Sequence, residues 1–160
     1  MAITRTFSDY KDSVVAATTT NVTLSGGAPN SVDGVSLALA DRVLVKNQNT
    51  ASENGIYRVT TLGTGSNGTW QRAGDFNDYR QISPGAFTFV EKGSVNGNSY
   101  YYINGGEPNV TLGTTSITFS NLYSVDGGNT SFNSNVNIAG NLTVVGNIVT
   151  NSYETITLTE

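Results

Sequence analysis

Two neighbouring stretches decide the fold: Asp41-Arg42-Val43-Leu44-Val45-Lys46, and Ser52-Glu53-Asn54-Gly55-Ile56-Tyr57-Arg58-Val59. In an extended chain Val43 and Val45 share one face and Leu44 takes the other. Both faces are apolar, which predicts a central strand. Asn54-Gly55 predicts a tight hairpin, because a two-residue type I′ turn needs positive φ at both central positions. Working outward, Ala86-Phe87-Thr88-Phe89-Val90-Glu91 is a second strand with Phe87 and Phe89 on one face. These two rings are expected to supply core area, each worth about 2 kcal/mol if fully buried. Tyr100-Tyr101-Tyr102-Ile103 is a third strand, and Ile117-Thr118-Phe119 closes the region near Leu122. On the N-terminal side, Val14-Val15-Ala16-Ala17 is a short apolar run, and Val32-Asp33-Gly34-Val35 is a turn entering a strand. Only Asp75 to Pro84 has the character of a helical turn. Strands at this spacing, with no helical pattern between them, predict an all-β fold: a small antiparallel β-sandwich or barrel.

Composition agrees. Thr 22, Asn 19, Gly 18 and Ser 16 make up nearly half of the 160 residues, while charged residues reach only 12%. Thr suits a pleated strand, and Asn, Gly and Ser suit turns. Cys and His are absent. A disulfide framework and a thiolate or imidazole zinc site are therefore excluded, and the commonest general base is missing. The net charge is −4, with 8 Lys and Arg. That balance argues against nucleic acid, whose phosphates need clustered cations. Met1–Tyr10 lacks the apolar segment of a signal peptide, and no run approaches the ~20 apolar residues of a membrane helix. Membrane insertion is not expected.

After Leu122 the pattern changes. Residues 123–134 are rich in Gly, Asn and Ser and read as a linker. Then Asn135-Val136-Asn137-Ile138-Ala139-Gly140 aligns with Asn141-Leu142-Thr143-Val144-Val145-Gly146, and a third copy begins at Asn147-Ile148. So short a repeat cannot bury its own apolar face. A single-chain β-helix would need many more turns. Association of identical copies, with Val136, Ile138, Leu142, Val144 and Ile148 meeting across chains, fits better. The C-terminal Tyr153–Glu160 alternates like a strand without a closing turn, which predicts a longer polypeptide.

No stretch builds a convincing active site. Gly63-Thr64-Gly65-Ser66-Asn67-Gly68 has dinucleotide-loop spacing, but Thr69-Trp70-Gln71 follows as a strand rather than a helix, so it reads as a hairpin loop. Asp75-Phe76-Asn77-Asp78 lacks the Gly and closing Glu of a calcium loop. Glu53, Asp75 and Glu91 are scattered acids that would need a shared cleft to hydrolyse a glycoside. No catalytic, cofactor or metal residues are assigned. Tyr100, Tyr101 and Tyr102 are candidate surface aromatics that could stack on sugar rings or anchor an interface. On an alternating strand Tyr101 should face opposite to its neighbours. Trp70 is expected in the core.

Six blocks in order resemble a module common in bacteriophage tail fibres and tail-tip (baseplate) proteins. They are Val32-Asp33-Gly34-Val35-Ser36-Leu37; Asp41–Gln48; Ser52–Tyr57; Trp70-Gln71-Arg72-Ala73; Gly85–Gly93; and Leu112–Phe119. The resemblance covers about Ser13 to Leu122. It departs at Asn98-Ser99-Tyr100-Tyr101, where many members carry Trp, which puts the local packing there in question. The Gly-ended repeats resemble shaft repeats of trimeric phage fibres. The resemblance implies a virion structural protein without enzymatic activity, assembled in the host cytoplasm into a phage tail. It implies a homotrimer whose other partners are tail or baseplate proteins. The expected organisation is an N-terminal arm (1–12) that docks, a globular β module (13–122), a linker (123–134) and the start of a repetitive β stem (135–160) that trimerises. The alternative is a carbohydrate-binding adhesin module that recognises a host surface glycan.

Overall fold

A computed structural model of the chain describes residues 9–64, 67–104, 110–126, 129–132 and 135–143. Among them the fold is β-sheet with two short 3₁₀ turns, Ala51–Glu53 and Tyr79–Gln81, and no α-helix. The strands are β1 (Ala16–Ala17), β2 (Ser31–Val32), β3 (Val35–Ser36), β4 (Arg42–Val45), β5 (Gly55–Thr61), β6 (Thr69–Arg72), β7 (Phe87–Val90), β8 (Ser99–Ile103), β9 (Phe119–Asp126) and β10 (Asn129–Ser131). They form a first sheet of order β1-β4-β5-β6, a second of order β10-β9-β8-β7, and the hairpin β2-β3.

The first sheet is covered on both faces, as the apolar run at 43–45 predicts. Leu44 and Ile56 are cross-strand partners and point at the second sheet. Val43, Val45, Tyr57, Val59 and Trp70 point the other way, under Val32 and Leu37 of the β2-β3 hairpin and its flanks. Trp70 is buried there, as expected. The core between the sheets joins Leu44 and Ile56 to Val90, Tyr101 and Ile103, with Phe76 filling the space between.

The segment from Asp9 to Thr18 stitches the two sheets together. Its first half runs parallel to β7, through Lys11 N–H to Phe87 O and Val14 N–H to Phe89 O. Val15 N–H and Thr18 N–H then donate to Arg42 O and Leu44 O of β4. Ala16 and Ala17 sit at this crossing, each facing a different apolar cluster. A side chain larger than Ala would have to displace the packed neighbours on its side. The end strands β6 and β10 do not pair with each other, so the described strands form no closed barrel. Tyr10 and Asp12, within the expected arm, thus belong to the sheet edge. Likewise, residues expected in the linker include the end of β9 and all of β10.

Asn54-Gly55 does not form a hairpin turn. β4 and β5 are joined by a longer loop, and Gly55 already pairs with Val45. The Asn54 side chain is buried and works at long range: Oδ1 accepts from Gln48 N–H at 3.0 Å and Nδ2 donates to Ile117 O at 2.8 Å. Gly55 has φ +155, and a Cβ there would collide with Arg72 Nη1. The tight two-residue turn lies instead at Asp33 (φ 51) and Gly34 (φ 79), between the paired residues Val32 and Val35.

Candidate functional site

The alternation in β7 and β8 places Thr88, Val90, Ser99, Tyr101 and Ile103 inside, and Phe87, Phe89, Tyr100 and Tyr102 outside. Tyr101 faces opposite to its neighbours, as expected. Phe87 and Phe89 do share a face, but it is the outer one, which corrects their assignment to the core. Each polar residue turned inward finds a partner. Thr88 Oγ1 donates to Asp12 O at 2.9 Å, Ser99 Oγ to Gly97 O at 3.1 Å, and Tyr101 Oη to Asn96 Oδ1 at 2.7 Å. Satisfied this way, they are cheap to bury. Lys46 Nζ lies 5.1 Å from the Tyr101 ring centroid. Burial pushes the Tyr101 phenol above its ordinary pKa and the Lys46 ammonium below its own.

The outer face is a continuous row of rings. Antiparallel register sets Phe87 opposite Tyr102, Phe89 opposite Tyr100, and Tyr100 opposite Tyr123. Ring centroids are 4.7 Å apart for Phe89 and Tyr100, and 5.1 Å for Tyr100 and Tyr123. Tyr10 meets Phe87 edge-on at 5.5 Å, and Phe132 lies 6.4 Å from Tyr123. Such contacts are in the favourable range for aromatic pairs. The β8–β9 register shifts beside Tyr100, as at a bulge. A bulge re-aims side chains, and here Leu122 emerges next to Tyr123. Together Gly85, Phe87, Tyr100, Tyr102, Leu122 and Tyr123 line an open groove of about 530 Å³. None of these is charged or carries an amide side chain. Of the three tyrosines that the sequence singled out as surface aromatics, Tyr101 is buried in the core between the sheets, which corrects its assignment. Phe87, Phe89, Leu122, Tyr123, Tyr10 and Phe132 join Tyr100 and Tyr102 on the outer face. The period-2 alternation could have grouped the first two with Tyr100 and Tyr102, had the strand pairing been known.

Of the stem residues, Val136, Ile138 and Leu142 are exposed at 57%, 46% and 65%. Val144 and Ile148 lie outside the described residues.

The acidic residues are engaged separately. Asp75 receives a two-pronged ion pair from Arg42, at 2.9 and 2.8 Å. Glu91 accepts from Ser13 Oγ, and Glu53 accepts from Gln48 Nε2 at 3.4 Å. Arg42 also donates to Ser13 O and Asp12 O, so it ties the crossing segment to the end of the first sheet. Among the described residues, no three acidic side chains gather to hold a metal ion, and no helix is long and apolar enough to cross a membrane. Comparison of the chain with family models, with curated proteins and with solved structures finds no match.

Proposed function

We propose that this chain is a structural protein of a bacteriophage tail, a fibre or tail-tip component that anchors or forms part of the adsorption apparatus. In this reading a β-sandwich module, antiparallel except where residues 10–17 pair in parallel with β7 and β4, leads through a linker into a stem that trimerises. The observation that carries the assembly half is a pair of uncovered apolar surfaces: the aromatic face of the second sheet, and Val136, Ile138 and Leu142 of the repeat. A chain that works alone is expected to turn such residues inward.

The tail half rests on the six ordered blocks. Their support comes from what the block residues do. Asp33 accepts from the backbone N–H groups of Val95 and Asn96 at 3.0 and 2.8 Å. Arg42 ties the crossing segment to Asp75, and Asn54 ties its loop to Ile117. Arg72 donates to Ser52 O and Asn54 O at 2.8 and 3.0 Å. The blocks thus hold many of the polar ties between distant parts of the module, so the resemblance concerns a whole folding unit.

Deleting Met1–Ser8 from the protein in an assembling phage tests the anchoring role. The expected result is loss of the protein from particles, with unchanged melting of the isolated chain. Undiminished incorporation overturns the docking role of the arm.

A second reading, a carbohydrate-binding module, is favoured by one observation: Tyr100 and Tyr102 stand in an open groove where a sugar ring could stack. Binding on a glycan array that disappears in Tyr102→Ala would select it.

A further inference from the structure

We infer that the aromatic face of the second sheet is a self-association surface, occupied by further copies of this chain and continuous with the stem. The inference rests on the trimeric reading above and assigns it a second contact.

Three observations point to a copy of the chain rather than to another occupant. The first is charge. The chain carries a net −4, so like charges at the meeting surface would add to the repulsion between two copies. The groove lining, Phe87, Tyr100, Tyr102, Leu122, Tyr123 and Gly85, contains no charged residue. The face can therefore meet itself about a symmetry axis without burying an unpaired charge.

The second is polarity. Reading a sugar requires side chains that exchange hydrogen bonds with several hydroxyls. The groove offers only the tyrosine hydroxyls and backbone. Aromatic and aliphatic side chains free of amides and carboxylates suit the dry centre of a protein interface.

The third is continuity and size. Tyr123 packs on Phe132, which is more than half exposed and lies three residues before the start of the repeat at Asn135. In sequence Phe132 is followed by the repeat, whose Val136, Ile138 and Leu142 are also uncovered. The face joins the six groove-lining residues to the exposed Tyr10 and Phe132 rings, and a contiguous exposed apolar patch of this kind marks an interaction site. A stable interface needs about 800 Å² per partner. The few residues of the sheet face fall short of the roughly 20–30 residues a side of such an interface, and three stem side chains are fewer still. Copies joined about one axis would bury both surfaces at once.

Sedimentation equilibrium of the 160-residue chain tests the inference, with two double variants run beside it. Tyr100→Ser/Tyr102→Ser alters the face, where both side chains are half-buried and alternate with the inward-facing Tyr101. Ile138→Asp/Leu142→Asp alters the stem. Hydroxyl-radical footprinting of wild type supplies a second readout. The expected result is a trimer whose dissociation concentration rises at least about tenfold in each variant, as for loss of a central tyrosine anchor, with Tyr100 and Tyr102 protected in the assembly. If the stem variant dissociates while the face variant sediments as wild type and both tyrosines stay reactive, the inference is overturned and the trimeric stem survives. A wild-type chain that is monomeric at every concentration overturns both. Binding of a glycan that Tyr100→Ser/Tyr102→Ser abolishes, with sedimentation unchanged, gives the face to sugar and likewise overturns the inference.

Discussion

The two sheets differ in how many of their faces are covered. The first is buried on both: Leu44 and Ile56 face the second sheet, and Val43, Val45 and Tyr57 face the β2-β3 hairpin. The second is buried on one, with most of its aromatic side chains on the other. Both show clean alternation. In the first sheet a mistaken choice of inner face costs little, because both faces are inside. In the second the choice decides which residues hold the module together and which are left at the surface. Size misleads there: the space between the sheets takes Thr88, Val90 and Ser99, while Phe87 and Phe89 are left half-covered.

Replacing the same residue type on each side of the second sheet tests this contrast most directly. Phe76 is fully buried between the sheets, its ring 5.9 Å from that of Phe119. Phe76→Ala should cost about 3–5 kcal/mol in urea unfolding. If it costs no more than an outer-face substitution, the assignment of inner and outer faces is wrong. Next in size is Asn54→Ala, which leaves Gln48 N–H and Ile117 O without their partners. A loss of about 2–3 kcal/mol is expected, and Asn54→Asp should not restore it, because a carboxylate cannot donate to Ile117 O.

A smaller effect follows from alkaline pH. Burial raises the phenols of Tyr57 and Tyr101 above the ordinary value near ~10. Their folded-state contribution is complete below the unfolded pKa and is lost as pH rises through the folded one. Melting temperature should therefore fall with rising pH above about 10, and less steeply in Tyr101→Phe. An identical slope in that variant would remove Tyr101 from the account. Smallest is Phe89→Ala on the outer face. In dilute solution it should change unfolding free energy by less than about 1 kcal/mol, since a half-covered ring gains only part of the burial energy.

What was legible in the sequence was local and two-sided. Val43-Leu44-Val45 reads as a central strand whichever face is taken as inner, and period-2 spacing alone turns Tyr101 away from Tyr100 and Tyr102. What was not legible depended on partners far along the chain. Asn54-Gly55 and Asp33-Gly34 carry the same local turn signal. Only the second forms the turn, because the Asn54 amide is held by Ile117 from 63 residues away. Thr88 looks like the solvent side of its strand until Asp12 O, 76 residues away in sequence, accepts its hydroxyl. The candidate face was half visible: the tyrosines were flagged, but the phenylalanines opposite them needed the β7–β8 register.

The crossing segment imposes an order on synthesis. Asp9 to Thr18 leaves the ribosome early, yet its pairing on one side waits for β4 and on the other for β7, with Ser13 meeting Glu91 across 78 residues. At a typical ~5–20 residues per second, that gap is roughly 4–16 s. Throughout it the first sheet lacks its neighbour, and Val14 lacks its bridge partner Val90. The slowest contacts to form are then those that complete the second sheet, and only after they form does its aromatic face exist as a surface. Assembly of copies through that face, as proposed above, would thereby wait until each chain has finished folding.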